Sequence, residues 1–481
     1  MNPSSFPYGR GFRSLTREID APMALAVQGE LPSWLAGTLL RTGPSKFEVG
    51  NRTYNHWFDG LAMLHRFAFE RGSVTYANRF LRSKAFGAAE RTGKISFGEF
   101  ATDPCRTLFG RVAAIFAPKL TDNCNVNVLR FGGETVAFTE TTLPMRFDPE
   151  TLATLGVYGY EGRLRGQVST AHAHYDAARA QHYSYMVEFG RKSLYRLFRV
   201  ADDGAQAVVA EIPVDLPAYM HSFAMTERYL VLVEFPMVVS ALALKFSGRP
   251  FIQNYRWQPG RGLRFHVVDK DSGRVVRSAC ADAAFAFHHV NAYEEGDGLV
   301  IDMIAYPDAT IIEQLYLARL REGLPITATG VLTRFRVPLG EAPITRRSLA
   351  PMPLELPRIN YEVCAGKFYR YVWGTGIQLP GDFLDQIVKI DAEAGDVASW
   401  YEGGCYPGEP VFVARPGAEA EDDGVLLSVA LDIENDRSFL LVLDATTLAE
   451  KARAVTPHAI PFHFHGNYFA SAATGEHRDL T

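Results

Sequence analysis

A short pattern recurs along this chain: an apolar, strand-like run, usually an aspartate, a tight turn and a second strand-like run. Aspartate and glycine at such positions supply the side-chain acceptor and the positive φ that hairpin turns require. The pattern therefore predicts a succession of antiparallel hairpins. Its copies are FERGSVTY at residue 69, FDPETLATL at 147, RVADDGAQAVV at 199, VVDKDSGRVV at 267, KIDAEAGDVASW at 389 and VLDATTLAEKA at 442.

Most of these turns recur at intervals of roughly 50–75 residues, as in propeller blades with insertions, so the length of the chain indicates roughly seven blades. We predict an all-β chain folded as a seven-bladed β-propeller with a helical cap over one face. A β-sandwich with many hairpins is the alternative that the pattern leaves open. Two segments have helical spacing, residues 106–117 (RTLFGRVAAIFA) and residues 310–322 (TIIEQLYLARLRE), and the second is the candidate cap.

The composition fits one large globular chain. No stretch has the composition of a linker, so we predict a single domain over residues 1–481. The net charge of −5 argues against a nucleic-acid surface. Five widely spaced cysteines without a CxxC pair predict neither a disulfide framework nor a zinc site and favour a reducing compartment. No signal peptide or transmembrane helix is predicted, so we expect the cytoplasm or its membrane face.

Histidines occur in four separate segments that each look like a strand, and imidazole is the commonest protein ligand for a first-row transition metal. Taken singly, each histidine is better explained as a structural residue. Together, imidazoles on separate strands predict a metal on the axis of a closed β structure. The segments are STAHAHYD (His172, His174), YMHSFAM (His221), FAFHHVNAY (His288, His289) and FHFHGNY (His463, His465). We predict no role for His56, His65, His182, His266, His458 and His477.

Strand geometry alone leaves open which histidine of each pair is the ligand. Residues two apart, such as His172 and His174, share a strand face, so either is a candidate. The adjacent pair His288 and His289 faces opposite sides, so only one of them can reach a central site.

Three glutamates lie in apolar or proline-rich settings that predict burial: Glu140 in VAFTETTLP, Glu355 in PLELPRINY and Glu409 in CYPGEPVFV. An ionised glutamate is rarely buried without a partner. One interpretation is that they cap turns or pair with arginine, as Glu355 could with Arg358. The other is that they accept the second N–H of metal-bound imidazoles, as carboxylates commonly do around metal-ligating histidines.

An ordered set of motifs extends along nearly the whole chain. It begins with GELPSWLAGTLLRTGP (residues 29–44) and HWFDGLAMLHRF (residues 56–67) and continues with TDNCNVN, FTETTLP, the histidine segments, LPRINY, YPGEPVFV and FHFHG. In these motifs and in their order the chain resembles the carotenoid cleavage oxygenase family. Each motif is weak alone, but the ordered set is highly specific. The resemblance implies a seven-bladed propeller with a helical cap and a non-haem ferrous iron on its axis.

The resemblance also assigns roles residue by residue. It implies that the direct iron ligands are His172, His221, His288 and His465, that Glu140, Glu355 and Glu409 are the carboxylates behind them, and that His174, His289 and His463 are neighbours. The family's first histidine motif usually reads AHP, and this chain has Ala173 after the ligand, which changes local backbone stiffness but removes no ligand. Three carboxylates for four histidines would leave His172 without one.

Four neutral imidazoles leave a metal its full 2+ charge and up to two open octahedral positions. Zinc with four histidines would be closed and structural, whereas iron with an open position can activate dioxygen. The predicted reaction adds dioxygen across one double bond of a conjugated alkene in an apolar tunnel and gives two carbonyl fragments. We predict no general acid or nucleophile beyond the metal centre. Some of the 32 Phe and 21 Tyr could line the tunnel, although most are expected in blade cores.

Long polyenes reside in lipid bilayers, which makes peripheral membrane contact a hypothesis. Residues 108–120 and residues 235–257 mix apolar residues with arginine or lysine, as interfacial segments do. The alternative is that they form a packed cap helix and a core strand.

The leading functional hypothesis is oxidative cleavage of a carotenoid or apocarotenoid. The motifs HWFDGLAMLHRF and FATDPCRTLF look most like the branch that contains animal carotene oxygenases and their bacterial relatives. Cleavage of a stilbene-type phenylpropanoid is the main alternative on the same scaffold, and a retinoid ester isomerase is a third. A non-catalytic propeller that binds partners through its loops is the alternative from another class. Buried imidazoles and carboxylates on one axis argue against it, and stoichiometric iron would separate the two.

Overall fold

The computed structural model describes residues 5–104, 120–162 and 164–471 of the chain. Seven antiparallel sheets of four to six strands follow one another around a central axis, so the fold is a seven-bladed β-propeller. This confirms the predicted all-β propeller and excludes the sandwich. The predicted single domain over residues 1–481 stays a prediction.

The first strand of each blade lies nearest the axis, where the first strands of blades 1 and 2, 4 and 5, 5 and 6, and 7 and 1 contact each other. From the axis outward, blade 1 consists of Gly466–Ala470, Gly37–Lys46, Leu61–Glu70, Ser73–Phe80 and Ile19–Ala24; blade 2 of Asn127–Phe131, Glu134–Phe138, Met145–Phe147 and Thr154–Val157; and blade 3 of Val168–Ser169 with His174–Asp176, then Gln181–Glu188, Ser193–Ala201 and Gln206–Val214. Blade 4 consists of Ala224–Met225, Tyr229–Glu234, Leu263–Asp269 and Val275–Ala281; blade 5 of His289–Glu295, Gly298–Ala305, Val331–Pro338 and Thr345–Pro353; blade 6 of Glu355–Arg358, Tyr371–Gly376, Gln386–Asp391 and Val397–Tyr401; and blade 7 of Cys405–Pro407 with Val411–Ala414, then Gly424–Asp432, Arg437–Asp444, Glu450–Val455 and Ala26–Gly29.

Short elements lie in the connections between these strands. Two-stranded ribbons pair Glu48–Val49 with Arg52–Thr53 and Met237–Val238 with Arg256–Trp257. The α-helices are Lys84–Thr92, Ala241–Phe246, Thr310–Gln314, Leu317–Arg321 and Tyr361–Cys364, and the 3-10 helices are Pro7–Phe12, Trp57–Asp59, Ile252–Asn254 and Pro259–Arg261.

The ring is closed by strands from both ends of the chain. In blade 1 the C-terminal strand Gly466–Ala470 pairs with Gly37–Lys46, and Arg41 lies opposite Gly466. In blade 7 the N-terminal strand Ala26–Gly29 pairs with Glu450–Val455. Both closures are antiparallel hydrogen-bonded ladders, so each joins residues more than 400 apart in sequence.

All of the predicted hairpin turns are present, and each joins the third strand of a blade to its fourth. Their aspartates act as expected. Asp148 Oδ1 accepts the backbone N–H of Thr151 at 2.8 Å, and Asp269 Oδ1 accepts that of Ser272 at 2.8 Å. Blade 5 makes the same connection between Pro338 and Thr345, a turn that the pattern did not predict.

The predicted helix over residues 310–322 is formed as Thr310–Gln314 and Leu317–Arg321, with a break between them. Tyr316 has extended backbone (φ −69°, ψ 133°) because the chain there pairs with the segment before Trp57. The N–H of Leu317 donates to the carbonyl of Asn55 at 2.8 Å. Tertiary hydrogen bonds thus replace helical ones at this point. The other predicted helix, residues 106–117, lies outside the described residues.

An aromatic cluster braces the segment that precedes His465. The rings of Trp57 and Phe464 have centroids 4.4 Å apart. Phe462 stacks on Phe383 at 4.7 Å and meets Phe12 edge-on at 5.2 Å. Each ring is at least nine-tenths buried. Such packing fixes the backbone from which His465 projects.

None of the helices within the described residues is long and apolar enough to span a membrane. Cys124, Cys280, Cys364 and Cys405 are free thiols, and Cys105 lies outside the described residues.

Candidate metal centre and its cavity

Each blade contributes one of seven side chains that meet at the axis. The histidines come from the innermost edges of blades 1, 3, 4 and 5, either just before the first strand or, in blade 3, where that strand is interrupted. Glu355 begins the first strand of blade 6, Glu409 lies in the break of the first strand of blade 7, and Glu140 follows the second strand of blade 2. The histidines are His465, His172, His221 and His288, in blade order.

One ligand nitrogen from each of these four histidines lies within 4.8 Å of all the others. Nε2 of His172 is 2.9 Å from Nε2 of His221, and Nε2 of His288 is 3.1 Å from Nε2 of His465. Around one metal ion with bonds of about 2.1 Å, adjacent nitrogens are about 3.0 Å apart and opposite ones about 4.2 Å apart. The spacing therefore fits four imidazoles on a single ion.

The other ring nitrogen of three of these histidines contacts a carboxylate. Nδ1 of His221 is 2.6 Å from Glu140 Oε1, and Nδ1 of His288 is 2.6 Å from Glu355 Oε2. A proton on Nδ1, donated to the carboxylate, leaves the lone pair of Nε2 pointing at the centre. The Nε2 lone pairs of His288 and His465, whose nitrogens are 3.1 Å apart, repel each other unless they share a cation, because Nδ1 of each ring faces a carboxylate. The donor set therefore fits a metal.

Among the described residues no carboxylate forms an ion pair with His172. Its backbone N–H donates to Thr170 Oγ1 at 3.0 Å, and that hydroxyl donates to the carbonyl of His221 at 2.6 Å. Burial and the neighbouring imidazoles lower the pKa of His172 well below its ordinary value. Burial also lowers the pKa of His465 to about 4, against the opposing effect of Glu409. Both rings are therefore neutral, as metal ligands must be, at neutral pH.

Glu409 is held by two arginines as well as by its histidine. Its Oε1 accepts from His465 Nδ1 at 2.7 Å, and its Oε2 accepts from Arg358 Nη2 at 3.2 Å and from the N–H of Gly466 at 3.0 Å. Arg41 Nη1 is 3.9 Å from the same Oε2. Burial would raise the pKa of Glu409, but Arg358 and His465 outweigh it and lower that pKa. Arg358 therefore pairs with Glu409, and not with Glu355 as one interpretation of the sequence held.

The other two glutamates are held by tyrosines. Tyr219 Oη donates to Glu140, 3.1 Å from both carboxylate oxygens. Tyr306 Oη donates to Glu355 Oε1 at 2.8 Å, and the N–H of Leu356 donates to Oε2 at 2.9 Å. Burial would raise the pKa of Glu355, but His288 lowers it below its ordinary value.

The neighbouring histidines are bonded elsewhere. Nε2 of His174 contacts the carbonyl of Phe223 at 2.8 Å, and Nδ1 of His289 contacts Ser222 Oγ at 2.8 Å. Nε2 of His463 contacts Ser45 Oγ at 3.0 Å. None of the three belongs to the four-nitrogen cluster. The structure thus shows which histidine of each pair belongs to the cluster, a choice that strand geometry alone left open.

Sequence reasoning missed Tyr219, Tyr306 and the role of Arg41. Tyr219 lies two residues before His221, and a same-face argument could have found it. Arg41 is 368 residues from Glu409, so no local signal connects them.

The metal centre opens onto a cavity of about 1010 Å³. Three of the histidines and two of the glutamates reach its wall, together with the rings of Phe58, Phe100 and Phe287. Helices Ala241–Phe246 and Thr310–Gln314 contribute Leu242 and Ile311 to the same wall. The predicted helical cover over the site thus includes residues 310–314. The cluster members on the wall are His221, His288, His465, Glu140 and Glu355.

Of the two segments proposed for membrane contact, residues 235–257 are described. They contain the helix Ala241–Phe246, whose Leu242 is 69% and Phe246 60% exposed. Lys245 and Arg249 line the cavity beside them. Residues 108–119 lie outside the described residues, and Leu120 lines the cavity.

Comparison with known proteins identifies relatives along almost the whole chain. The family of the retinal pigment epithelial membrane protein matches residues 12–470. The carotenoid isomerooxygenase of Galleria mellonella is 36% identical over 491 residues, which cover 95% of this chain and 96% of that protein. The mitochondrial carotenoid-cleaving dioxygenase of Mustela putorius furo is 34% identical over 519 residues and covers 94% and 95%. The β,β-carotene 15,15'-dioxygenase of Gallus gallus is 32% identical over 517 residues and covers 95% and 97%.

Solved structures agree with these relatives. The cobalt-substituted Synechocystis apocarotenoid oxygenase is similar with a TM-score of 0.86 at 27% identity, covering 98% of this chain and 100% of that chain. With four converging imidazoles on a propeller axis and relatives over nearly its full length, this chain belongs to the retinal pigment epithelial membrane protein family, that of the carotenoid cleavage oxygenases.

Proposed function

We propose that this protein is a non-haem Fe(II) dioxygenase that cleaves one conjugated C=C double bond of a carotenoid or apocarotenoid. Each carbon of the broken bond receives one atom of O2, so two carbonyl products form and no further reductant is consumed. The observation that carries the proposal is the convergence of four imidazole nitrogens, from histidines of which three line a cavity large enough for a long apolar ligand.

In this proposal the chain supplies binding and orientation. His172, His221, His288 and His465 hold the metal, which when bound supplies the activation of dioxygen. The carboxylates of Glu140, Glu355 and Glu409 fix three of the rings and keep their Nε2 lone pairs free for the metal.

The cavity wall places the substrate. Phe58, Phe100 and Phe287 offer ring faces and edges to a polyene and exclude water from the reacting bond. The position of the double bond relative to the four imidazoles then decides which bond is cleaved. Relatives whose names include carotene or carotenoid support this substrate class.

We also propose that the exposed apolar side chains of helix Ala241–Phe246 contact a lipid surface. Leu242 and Phe246 project to solvent beside Lys245, and Leu242 also borders the cavity. An apolar edge with basic neighbours suits the interface of a membrane, where long polyenes are dissolved.

The proposed function is tested with protein purified without oxygen and loaded with Fe(II). Oxygen uptake and product masses are measured with a C40 carotenoid, an apocarotenoid, a hydroxystilbene and a retinoid ester. We expect aldehydes from the polyenes, each containing one labelled atom when ¹⁸O2 is supplied. Aromatic aldehydes alone would move the protein to stilbene cleavage. Conversion of a retinoid ester without oxygen uptake would indicate an isomerase, and a folded protein that binds no iron would indicate a scaffold.

A further inference from the structure

A carboxyl group lies in the cavity wall apart from the glutamates of the metal centre. Glu99 is only 7% exposed, and it lines the cavity. Thr121 Oγ1 donates to Glu99 Oε1 at 2.8 Å, and the carbonyl of Thr121 accepts from Thr141 Oγ1 at 2.7 Å. Because Thr141 directly follows Glu140, these bonds place Glu99 on the wall that leads to the metal centre.

Glu99 shares its surroundings with two other buried carboxyl groups, which accept hydrogen bonds from backbone N–H groups. Asp59 accepts two backbone N–H groups, at 3.0 and 2.9 Å, and a threonine hydroxyl at 2.6 Å. Asp122 accepts two backbone N–H groups at the start of helix Lys84–Thr92, at 2.7 and 3.0 Å. These bonds offset part of the effect of burial on Asp59, whose pKa is raised to about 6.

Glu99 is suited to hold a proton. Burial, with the nearby charges of Asp59 and Asp122, raises the pKa of Glu99 well above its ordinary value, despite hydrogen bonds from Thr121 and Asn123. Within the described residues no lysine or arginine forms an ion pair with Glu99. A protonated carboxyl group carries an O–H that must find an acceptor when buried.

We propose that Glu99, as a neutral carboxylic acid, donates a hydrogen bond to an oxygen atom of the bound polyene. The cavity then selects polyenes that carry a hydroxyl or carbonyl group over the hydrocarbon with the same skeleton. When the hydrocarbon binds, the O–H of Glu99 has no acceptor. A buried polar group left unpaired weakens binding, so the site disfavours ligands that lack a hydrogen-bonding group. The inference rests on the proposed function in taking a polyene as the ligand.

The test compares equilibrium binding of three all-trans polyenes of one skeleton, the hydrocarbon, the alcohol and the aldehyde, to metal-free protein. Quenching of tryptophan fluorescence gives the dissociation constants. We expect the wild type to bind the alcohol and the aldehyde about tenfold more tightly than the hydrocarbon. Glu99→Leu should remove this preference. Glu99→Gln keeps a donor of the same shape and should retain the preference to within about threefold.

Thr329→Val is the matched control, since Thr329 also lines the cavity and valine has the same shape as threonine without the hydroxyl. It should keep the wild-type preference. Difference infrared spectra should show the C=O stretch of a protonated carboxylic acid that shifts when the alcohol binds and is absent in Glu99→Gln. Equal binding of all three polyenes by the wild type, or an unchanged preference in Glu99→Leu, would overturn the inference.

The binding assay separates this inference from the proposed function. A preference that depends on Glu99, found with an iron-loaded protein that cleaves no polyene, would reject dioxygenase activity and retain the role of Glu99. Cleavage of all three polyenes, with no difference in their binding, would support dioxygenase activity and reject the role of Glu99.

Discussion

The two sides of the metal centre are built from the same pair of residue types but differ in what lies behind the carboxylate. On one side, Glu409 accepts a hydrogen bond from His465 and another from Arg358, and it forms an ion pair with Arg41. On the other side, Glu355 accepts a hydrogen bond from His288 and another from the neutral phenol of Tyr306. One carboxylate is balanced by guanidinium charge, and the other keeps its full negative charge.

This difference assigns different physical tasks to the two carboxylates. Glu409 joins three blades, since Arg358 belongs to blade 6 and both Arg41 and His465 belong to blade 1. Glu409 therefore stabilises the closure of the propeller ring as much as it stabilises the position of the ligand His465. Glu355, which forms no ion pair with a lysine or arginine among the described residues, adds more electron density to its imidazole and more negative potential to the site. Glu140, bound by Tyr219, resembles Glu355 in this respect.

Removing a ligand should have the largest effect on metal binding. His465→Ala deletes one of four converging nitrogens, so we expect an affinity loss beyond the about 10–100-fold typical of residues behind the ligands. Metal analysis after dialysis should find no stoichiometric iron. His463→Asn is the control, because His463 contacts Ser45 and not the cluster. Iron retained by His465→Ala at the wild-type level would contradict the assignment.

Glu409→Gln should be the most damaging change to the fold among the carboxylates. It removes the charge that balances two buried arginines, and breaking such a buried ion pair costs about 3–5 kcal/mol. Denaturant unfolding of metal-free protein measures the loss. The matched variant Glu355→Gln should cost only about 1 kcal/mol, since no buried cation loses its partner. Equal losses would remove the distinction between the two sides.

Glu355→Gln should instead act on the metal. We expect affinity to fall about 10–100-fold, as for other residues that orient metal-bound histidines. Competition titration with a chelator of known affinity gives the value. Glu140→Gln should behave alike, because its carboxylate is also bound by a tyrosine. If only Glu409→Gln lost metal affinity, the roles assigned to Glu409 and Glu355 would be reversed.

Tyr306→Phe should have the smallest effect on metal affinity. It removes one hydrogen bond from a neutral phenol to the charged Glu355, and a hydrogen bond to a charged group contributes about 1.5–3 kcal/mol to the free energy of unfolding. Metal affinity should change by less than about fivefold, since His288 and the N–H of Leu356 still hold the carboxylate. Thermal melts measure the change in stability, and the chelator titration measures the change in metal affinity. A loss as large as that of Glu355→Gln would show that the phenol itself orients the ligand.

The blade count could be predicted from the sequence because one hairpin repeats with its own local chemistry. Asp148 and Asp269 bind backbone N–H groups two or three residues away, so the signal lies within a few positions. The turn of blade 5, VPLGEAPIT, contains two prolines and no aspartate, and the pattern did not predict it. The break at Tyr316 was missed because its partner segment lies some 260 residues earlier.

The sequence by itself determined which residue types are present for chemistry: histidines in four strand-like segments, glutamates in apolar settings, and the ordered motifs of a family. The resemblance implied which imidazoles hold the metal, and only the tertiary structure decided that Arg358 serves Glu409 and that Glu99 faces the cavity. The reason is that ring closure places side chains from all seven blades on one axis. Pairings between such distant residues depend on the register of whole blades, which no local pattern encodes.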